Sequence, residues 1–245
     1  MNSSLTYTLD NEFEELYVSM CLKEGRVYTN DEVKLLPEIS KTHRYSSEWA
    51  IKKSSLKRLT SYLKHKGNEF NLLDVGCGNG WLSAQLAKHT SGKVIGVDIN
   101  GMAIEQAKEI FHEMNNIAFV QANLNDGILG EEKFDIIVFA DAIQYFSSLK
   151  NIIAIASKYL TLQGEIHIID SNFYKQKEIA VVKQITSNHF RDAGFETLTL
   201  FYFHHSIEDL KKFNYHILYN PVAWNNKLMP NHNPFYHVII KNRYQ

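Results

Sequence analysis

The chain has 245 residues, 44% of them hydrophobic, and a formal net charge of −1 at pH 7. This size and composition predict one large α/β domain, or one domain with a small appendage, and the balanced charge gives no global basic field that would attract nucleic acid or anionic lipid. No apolar run approaches the roughly 18–20 residues that span a bilayer, and the N-terminus lacks a signal-peptide pattern. Cys21 and Cys77 form no disulfide or metal-ligand spacing. We therefore expect a cytoplasmic protein with reduced thiols and no membrane association.

Two helices are predicted before the first strand. Residues 11–23 place apolar side chains at helical spacing, and Gly25 is expected to end that helix. Ser46 or Ser47 can cap the second helix, whose apolar face should pack beside the first strand.

A strand, a glycine-rich turn and the start of a helix are predicted over residues 71–88. The turn carries three glycines in a G-x-G-x-G spacing, namely Gly76, Gly78 and Gly80. Glycine lets a backbone turn sharply or admit a ligand, and a helix that opens after such a turn directs N–H groups and a positive dipole end at that ligand. A second strand, residues 94–98, ends in Asp98, where a carboxylate can accept hydrogen bonds from ribose hydroxyls.

The rest of the chain alternates helices and strands. Helices are predicted at residues 101–114, 150–160 and 178–193, and strands at residues 117–120, 134–140, 165–170, 195–203 and 235–240. The last two strands have no full helix between them, which predicts a hairpin and one antiparallel strand at the sheet edge. The link inside this hairpin is longer than a hairpin loop requires, so it is expected to help cover a substrate.

Residues 72–80 and 94–98 resemble the first two motifs of class I S-adenosylmethionine (SAM) dependent methyltransferases. The resemblance continues through residues 134–146, similar to the family's fourth-strand motif, and residues 160–169, similar to its fifth strand. It implies a three-layer α/β Rossmann-like methyltransferase fold with a seven-stranded, mostly parallel sheet. The implied strand order is 3-2-1-4-5-7-6, with strand 7 antiparallel and an N-terminal helical extension.

The resemblance also implies the cofactor and its ligands. Residues 67–245 would bind S-adenosyl-L-methionine and release S-adenosyl-L-homocysteine (SAH), and residues 1–66 would form a helical extension or lid. Ile99 and Leu124 would enclose the adenine ring, and Asn123 stands where the family usually has an acid that contacts the adenine amino group. The cofactor-binding candidates are Asp74, Gly76, Cys77, Gly78, Gly80, Asp98, Ile99, Asn123, Leu124, Ala140 and Tyr45.

Methyl transfer requires an aligned nucleophile, exclusion of water and, for a nucleophile that starts protonated, a nearby base. The sequence does not identify that base. Candidates by position are Asp141, Tyr145, Asp170, His204 and His43. No metal is expected, because the adjacent His204 and His205 would point to opposite faces of a strand and no further ligands follow at useful spacing.

The expected function is transfer of the SAM methyl group to an oxygen or nitrogen atom of a small molecule, by a monomer or homodimer without a nucleic-acid partner. Three alternatives stay open: a SAM- or SAH-binding protein without transferase activity, a methyltransferase acting on protein or tRNA, and a nicotinamide-dependent oxidoreductase. The glycine spacing disfavours the oxidoreductase. Residues 140–144 lack the Asn/Asp-Pro-Pro-aromatic motif of methyltransferases that modify nucleic-acid bases, which disfavours that branch.

Overall fold

A computed structural model describes residues 3–227 and 232–242, with side chains for residues 11–226 and 232–242. Within these residues the centre of the fold is a seven-stranded sheet. The strands in chain order are β1 (Leu72–Val75), β2 (Val94–Asp98), β3 (Ile117–Gln121), β4 (Phe134–Ala140), β5 (Leu160–Ile169), β6 (Phe173–Tyr174), β7 (His205–Ser206), β8 (Tyr215–Tyr219) and β9 (His237–Lys241). Strands β6 and β7 form a separate two-stranded ladder.

The main sheet has the order β3-β2-β1-β4-β5-β9-β8. Neighbours from β3 to β5 pair in parallel, whereas β9 is antiparallel to both β5 and β8. Because β8 and β9 are the sixth and seventh strands of this sheet, the predicted order and the antiparallel seventh strand are confirmed.

The helices connect the strands and precede the sheet. They are α1 (Ser3–Glu24), α2 (Asn30–Leu35), α3 (Ser46–Leu63), α4 (Trp81–Ala87), α5 (Gly101–Phe111), α6 (Leu149–Lys158), α7 (Ile179–Asp192) and α8 (Trp224–Lys227). Side-chain caps explain several starts: the Thr29 hydroxyl accepts from the Glu32 amide, and the Asn100 side chain accepts from the Ala103 amide. None of the helices among the described residues is both long and apolar enough to cross a membrane.

Alternation along the central strands builds a three-layer packing. On β1, Leu72 packs in a buried cluster with residues of α3 and α4, such as Leu59 and Leu86. The next residue, Leu73, packs in a cluster on the other face, which includes Ile152 of α6. Successive strand residues point to opposite faces, so a strand that is apolar at every position requires helices on both sides of the sheet.

Several predicted boundaries were wrong, and one predicted strand was wrong outright. Residues Glu196–Phe201 form a 3₁₀ helix instead of the strand predicted at residues 195–203, and the sixth strand is β8. Their apolar pattern is satisfied by packing outside the sheet, because Leu198 is buried against Met20 of α1 and Phe190 of α7.

The predictions for the start of α3 and the start of β5 were also wrong. Helix α3 begins at Ser46 itself, with Tyr45 before it and no side-chain cap, so the predicted serine cap was wrong. Strand β5 begins at Leu160, earlier than the predicted residue 165, because Leu160 pairs with Phe134 of β4 ahead of a bulge.

A buried histidine pair joins β5 to β9. The His167 Nδ1 atom lies 2.9 Å from the His237 Nε2 atom, and both side chains are fully buried. Burial lowers the pKa of both imidazoles; the nearby Glu165 carboxylate opposes this for His167, and Arg58 reinforces it for His237. Both histidines therefore stay neutral in the folded protein at pH values where a free imidazole takes up a proton.

This pair predicts a pH-dependent loss of stability. Below about pH 6.5 the unfolded chain protonates these histidines while the folded chain does not, so the unfolded state binds more protons and stability falls as the pH falls. His237→Gln removes one of these groups. Between pH 7.5 and 5.5, urea unfolding should show the wild-type protein losing about 1 kcal/mol more than His237→Gln.

The matched control is His216→Gln, an exposed position on the neighbouring strand β8. It should follow the wild-type pH dependence, because it leaves both buried histidines in place. Parallel pH dependences for the wild-type protein and His237→Gln would contradict the prediction.

Candidate functional site

The carboxyl ends of β1, β2 and β4 face a cavity of about 340 Å³. This is the expected edge, because ligands of parallel α/β sheets bind beyond the carboxyl ends of the strands. Eight of the predicted site residues line it: Gly76, Gly78, Asp98, Ile99, Asn123, Leu124, Asp141 and Tyr145.

The glycine turn needs its glycines for two different reasons. Gly76 has φ +74°, and a Cβ atom there would lie 2.7 Å from the Cβ of Ala142, so the backbone of the turn packs directly on the loop after β4. Gly78 has φ +52°, and a Cβ atom there would meet no atom within 4 Å. Because Gly78 lines the cavity, it leaves that space open to a ligand.

Asp98, the last residue of β2, is fixed by the backbone around it. Its Oδ2 atom accepts from the Gly78 amide at 2.8 Å and its Oδ1 atom accepts from the Asn100 amide at 2.8 Å. Burial raises the pKa of Asp98, and these two amide hydrogen bonds oppose the increase. Each carboxylate oxygen has a second lone pair, so Asp98 can still accept a pair of hydroxyl hydrogen bonds from a ligand.

The far end of the cavity is formed by the turn after β3. Leu124 is 4% exposed and presents an apolar wall. Asn123 lines the cavity, and its side-chain oxygen accepts from the backbone and side chain of Asn125 at 3.1 and 2.8 Å. This oxygen therefore caps a short 3₁₀ helix as well as bordering the cavity.

Five other predicted cofactor residues do not line this cavity: Asp74, Cys77, Gly80, Ala140 and Tyr45. Asp74 lies beneath the turn, where its Oδ2 atom accepts from the Ser83 hydroxyl at 2.6 Å and ties β1 to α4. Burial raises the pKa of Asp74 to about 7. The Cys77 side chain packs with Ile104 and Phe119 in the apolar layer under α5.

Gly80, Ala140 and Tyr45 likewise have packing roles. A Cβ atom on Gly80 would lie 2.5 Å from the ring of Phe119, and Ala140 packs on the apolar cluster under α3 and α4. The Tyr45 hydroxyl donates to the Glu24 carbonyl at 2.5 Å, which joins the start of α3 to the end of α1. Tyr45 therefore lies outside the lining of this cavity.

Helix α1, in the predicted N-terminal extension, supplies three wall residues that were not among the predicted site residues. Phe13, Glu14 and Tyr17 line the cavity. The Glu14 carboxylate accepts from the Gly101 amide at 2.6 Å, and the Phe13 ring lies 5.3 Å from the Tyr145 ring. The sequence signal was an apolar helical stripe, which indicates core packing equally well.

A second cavity, about 580 Å³, adjoins the first. The two share three lining residues, Tyr17, Asp141 and Tyr145. Asp141 follows β4 with φ +53°, and its carboxylate accepts from Lys52 at 2.7 Å and from Gln144 at 2.9 Å. Burial raises the pKa of Tyr145 well above its usual range, so its hydroxyl is neutral at physiological pH.

The remaining candidate bases differ in whether they line one of the two cavities. Asp170 lines the second cavity, whereas His204 and His43 line neither of the two. The His204 Nε2 atom is hydrogen bonded to Thr186 at 2.8 Å, and the His43 Nδ1 atom accepts from the Tyr45 amide at 3.1 Å. Among the described side chains, no group of three or more His, Cys, Asp or Glu residues is arranged to hold a metal ion.

The sequence profile described as "Methyltransferase domain" matches residues 66–230. The chain belongs to the class I SAM-dependent methyltransferase family. The matched range contains six of the seven strands of the main sheet. Strand β9 and helices α1 to α3 lie outside it.

Curated relatives of this methyltransferase match over part of its length. A ribosomal protein L11 methyltransferase of Dictyoglomus thermophilum is 39% identical over 111 residues, which is 43% of this chain and 35% of the relative. A release factor glutamine methyltransferase of Fusobacterium nucleatum is 37% identical over 79 residues, which is 31% of this chain and 22% of the relative. The chain thus spans about a third or less of the length of these relatives.

Solved structures match over more of the chain. A plantazolicin methyltransferase in complex with SAH superposes with a TM-score of 0.54 at 16% identity and covers 96% of this chain and 100% of that one. A geranyl diphosphate C-methyltransferase from Streptomyces coelicolor A3(2) has a TM-score of 0.56 at 14% identity and covers 83% of this chain and 87% of that one. At these identities the likeness concerns the fold alone.

Proposed function

We propose that this methyltransferase binds SAM in the smaller cavity and transfers the methyl group to an oxygen or nitrogen atom of a small molecule held in the larger one. The observation that carries the proposal is that the two cavities adjoin at Tyr17, Asp141 and Tyr145. A methyl donor on one side of these residues and an acceptor on the other would meet in line, away from bulk water.

The residues around the smaller cavity fit SAM. Gly78 leaves open space for a ligand, and Asp98 has lone pairs for the ribose hydroxyls. Ile99 and Leu124 would enclose the adenine ring. When bound, SAM supplies an electrophilic methyl carbon on a sulfonium, which needs no metal. Several solved methyltransferases of this fold contain SAM or SAH, which supports the assignment.

The cover provided by α1 supports a small acceptor over a protein. Phe13 and Tyr17 of α1 pack on Tyr145, with ring centroids 5.3 and 5.6 Å apart. Their rings pack over Tyr145, where the two cavities meet, and this cover leaves less room there for a folded protein than for a small molecule.

A protein acceptor is the second candidate, because the curated relatives are named for ribosomal protein L11 and for glutamine in a release factor. Those relatives share only part of their length with this chain. A protein that binds SAM or SAH without transferring a methyl group is the third candidate.

Calorimetric titration with SAM, SAH and NADH tests the cofactor. We expect SAM and SAH to bind with micromolar affinity and NADH not to bind, because the G-x-G-x-G turn and Asp98 fit the sulfonium nucleoside. Binding of NADH alone would overturn the proposed function. Transfer of isotope-labelled methyl from SAM into the small-molecule fraction of an extract, compared with its protein and RNA fractions, then separates the three candidates.

A further inference from the structure

The larger cavity has an aromatic wall. Five aromatic side chains line it, namely Tyr17, Tyr145, Phe190, Tyr202 and Phe235. Rings of this kind pack on a ligand ring in stacked or edge-to-face geometry, and their faces attract positive charge. The wall therefore fits an aromatic ligand, and it favours a cationic substituent over an anionic one.

Two side chains that are always cationic, Arg26 and Lys52, line the cavity among the described residues, and neighbouring carboxylates already neutralise both. The Arg26 guanidinium lies 2.8 Å from Glu24 and 2.7 Å from Glu48. The Lys52 ammonium lies 2.7 Å from Asp141. An anionic ligand would have to displace one of these carboxylates, so the cavity offers it no ready partner.

Asp170 is different from the other carboxylates. It follows β5, is 4% exposed and lines the cavity. Its Oδ1 atom accepts from the Ser55 hydroxyl at 2.5 Å, and the Ser55 oxygen in turn accepts from Asn233 at 2.8 Å. Its Oδ2 atom accepts no hydrogen bond from the described part of the chain. Asp170 is thus a rigidly held carboxylate with one oxygen available to a ligand.

A second buried acceptor in the same cavity wall also lacks a donor. Gln144 is 7% exposed, and its Nε2 atom donates to the carbonyl and carboxylate of Asp141 at 2.8 and 2.9 Å. These two bonds fix the orientation of the amide. The Oε1 atom is left buried without a donor among the described residues. Buried acceptors are normally paired, so the wall is deficient in N–H or O–H donors.

We propose that the methyl acceptor is an amine joined to an aromatic ring by a short alkyl chain, and that its nitrogen binds the free oxygen of Asp170. The proposal rests on the proposed function and narrows its acceptor. An amine supplies the missing donors, and its ring fills the aromatic wall. The nitrogen must be neutral to react, so an amine that arrives as an ammonium ion first releases one proton to solvent. As the neutral nitrogen then bonds to the methyl carbon, the methyl–sulfur bond breaks with its electron pair left on sulfur, and the nitrogen releases its second proton to Asp170. Burial raises the pKa of Asp170 to about 6, which makes this carboxylate a better proton acceptor than an exposed one.

The test is a binding experiment on the full chain saturated with SAH. Three probes share a 4-hydroxyphenyl ring with a two-carbon chain and differ only in the end group of that chain: tyramine carries an amine, tyrosol a hydroxyl and 3-(4-hydroxyphenyl)propionate a carboxylate. Calorimetry should show tyramine binding at least tenfold more tightly than either of the others. Asp170→Asn should weaken tyramine binding at least tenfold and leave SAH affinity unchanged, whereas Asp192→Asn, at the exposed end of α7, should change neither.

The outcomes separate this inference from the function on which it rests. Failure of SAH to bind overturns the proposed function before any probe is added. If SAH binds normally, three results would overturn the amine assignment and leave the proposed function intact. The carboxylate probe could bind as well as tyramine, or no probe could bind at millimolar concentration. Asp170→Asn could also bind tyramine as tightly as the wild type does. The wild-type comparison of the three probes decides the matter even if Asp170→Asn fails to fold.

Discussion

Gly78→Val is expected to abolish SAM binding while the protein stays folded. A Cβ atom at Gly78 meets nothing within 4 Å, so the valine side chain starts in open space and extends into the cavity. We expect SAM affinity to fall at least about a hundredfold, or about 2.8 kcal/mol. The positive φ at this position should cost only about 1–2 kcal/mol of stability. Calorimetric titration and thermal unfolding measure the two effects separately.

Gly130→Val is the matched control for this prediction. Gly130 has φ +56°, close to the +52° of Gly78, and a Cβ atom there also meets nothing within 4 Å. Gly130 does not line either cavity. The control should therefore lose similar stability and retain full SAM affinity. Equal SAM affinity in the two variants would show that the space beside Gly78 is not used by the cofactor.

Asp98→Ala is expected to weaken SAM binding by more than about a hundredfold. Hydrogen bonds to a charged acceptor contribute about 1.5–3 kcal/mol each, and the two ribose hydroxyls would both lose their partner. The Gly78 and Asn100 amides would also lose their acceptor, so the turn itself should loosen and stability should fall by about 1–3 kcal/mol. Asp98→Asn should also bind poorly, because its amide NH₂ group would face one of these N–H donors.

Asp135→Ala distinguishes loss of a cofactor ligand from loss of a structural aspartate. Asp135 accepts from the Asn71 amide at 2.9 Å and from the Thr161 hydroxyl at 3.0 Å. It lies at the start of β4, which is the opposite edge of the sheet from the cavity. We expect Asp135→Ala to lose stability and to keep its SAM affinity. If Asp98→Ala binds SAM as tightly as Asp135→Ala does, Asp98 is not a cofactor ligand.

Gly78 and Asp98 were predictable as site residues from the sequence, because local chemistry determines both positions. A continuous apolar strand needs a buried parallel sheet, a glycine-rich turn needs positive φ, and an acid at the next strand end reaches the same edge. Gly78 and Asp98 accordingly lie on the cavity wall, joined by a hydrogen bond. The strand order was implied by the resemblance to class I methyltransferases, and the absence of a full helix between the last two predicted strands indicated the antiparallel strand.

The other parts of the site depended on contacts between residues far apart in the sequence. Lys52 and Asp141 are 89 positions apart, and Ser55 and Asp170 are 115 positions apart. The apolar run at residues 195–203 alternates as a strand does, yet α1 and α7 bury it as a 3₁₀ helix. Tyr45 was a candidate because aromatic and polar residues surround it in the predicted lid, but its hydroxyl is hydrogen bonded to the Glu24 carbonyl at the end of α1, outside the cavity lining.

The sequence by itself therefore determined the sheet, the glycine turn and the acid at its edge, because each is a property of a short segment and its strand direction. Only the tertiary structure decided what closes the site and what faces the acceptor. Whether Phe13 and Tyr17 pack into a core or over a cavity depends on where α1 docks, and α1 docks through contacts with Tyr145 and the 3₁₀ helix. The free oxygen of Asp170 likewise exists because Ser55, brought in by α3, occupies the other one.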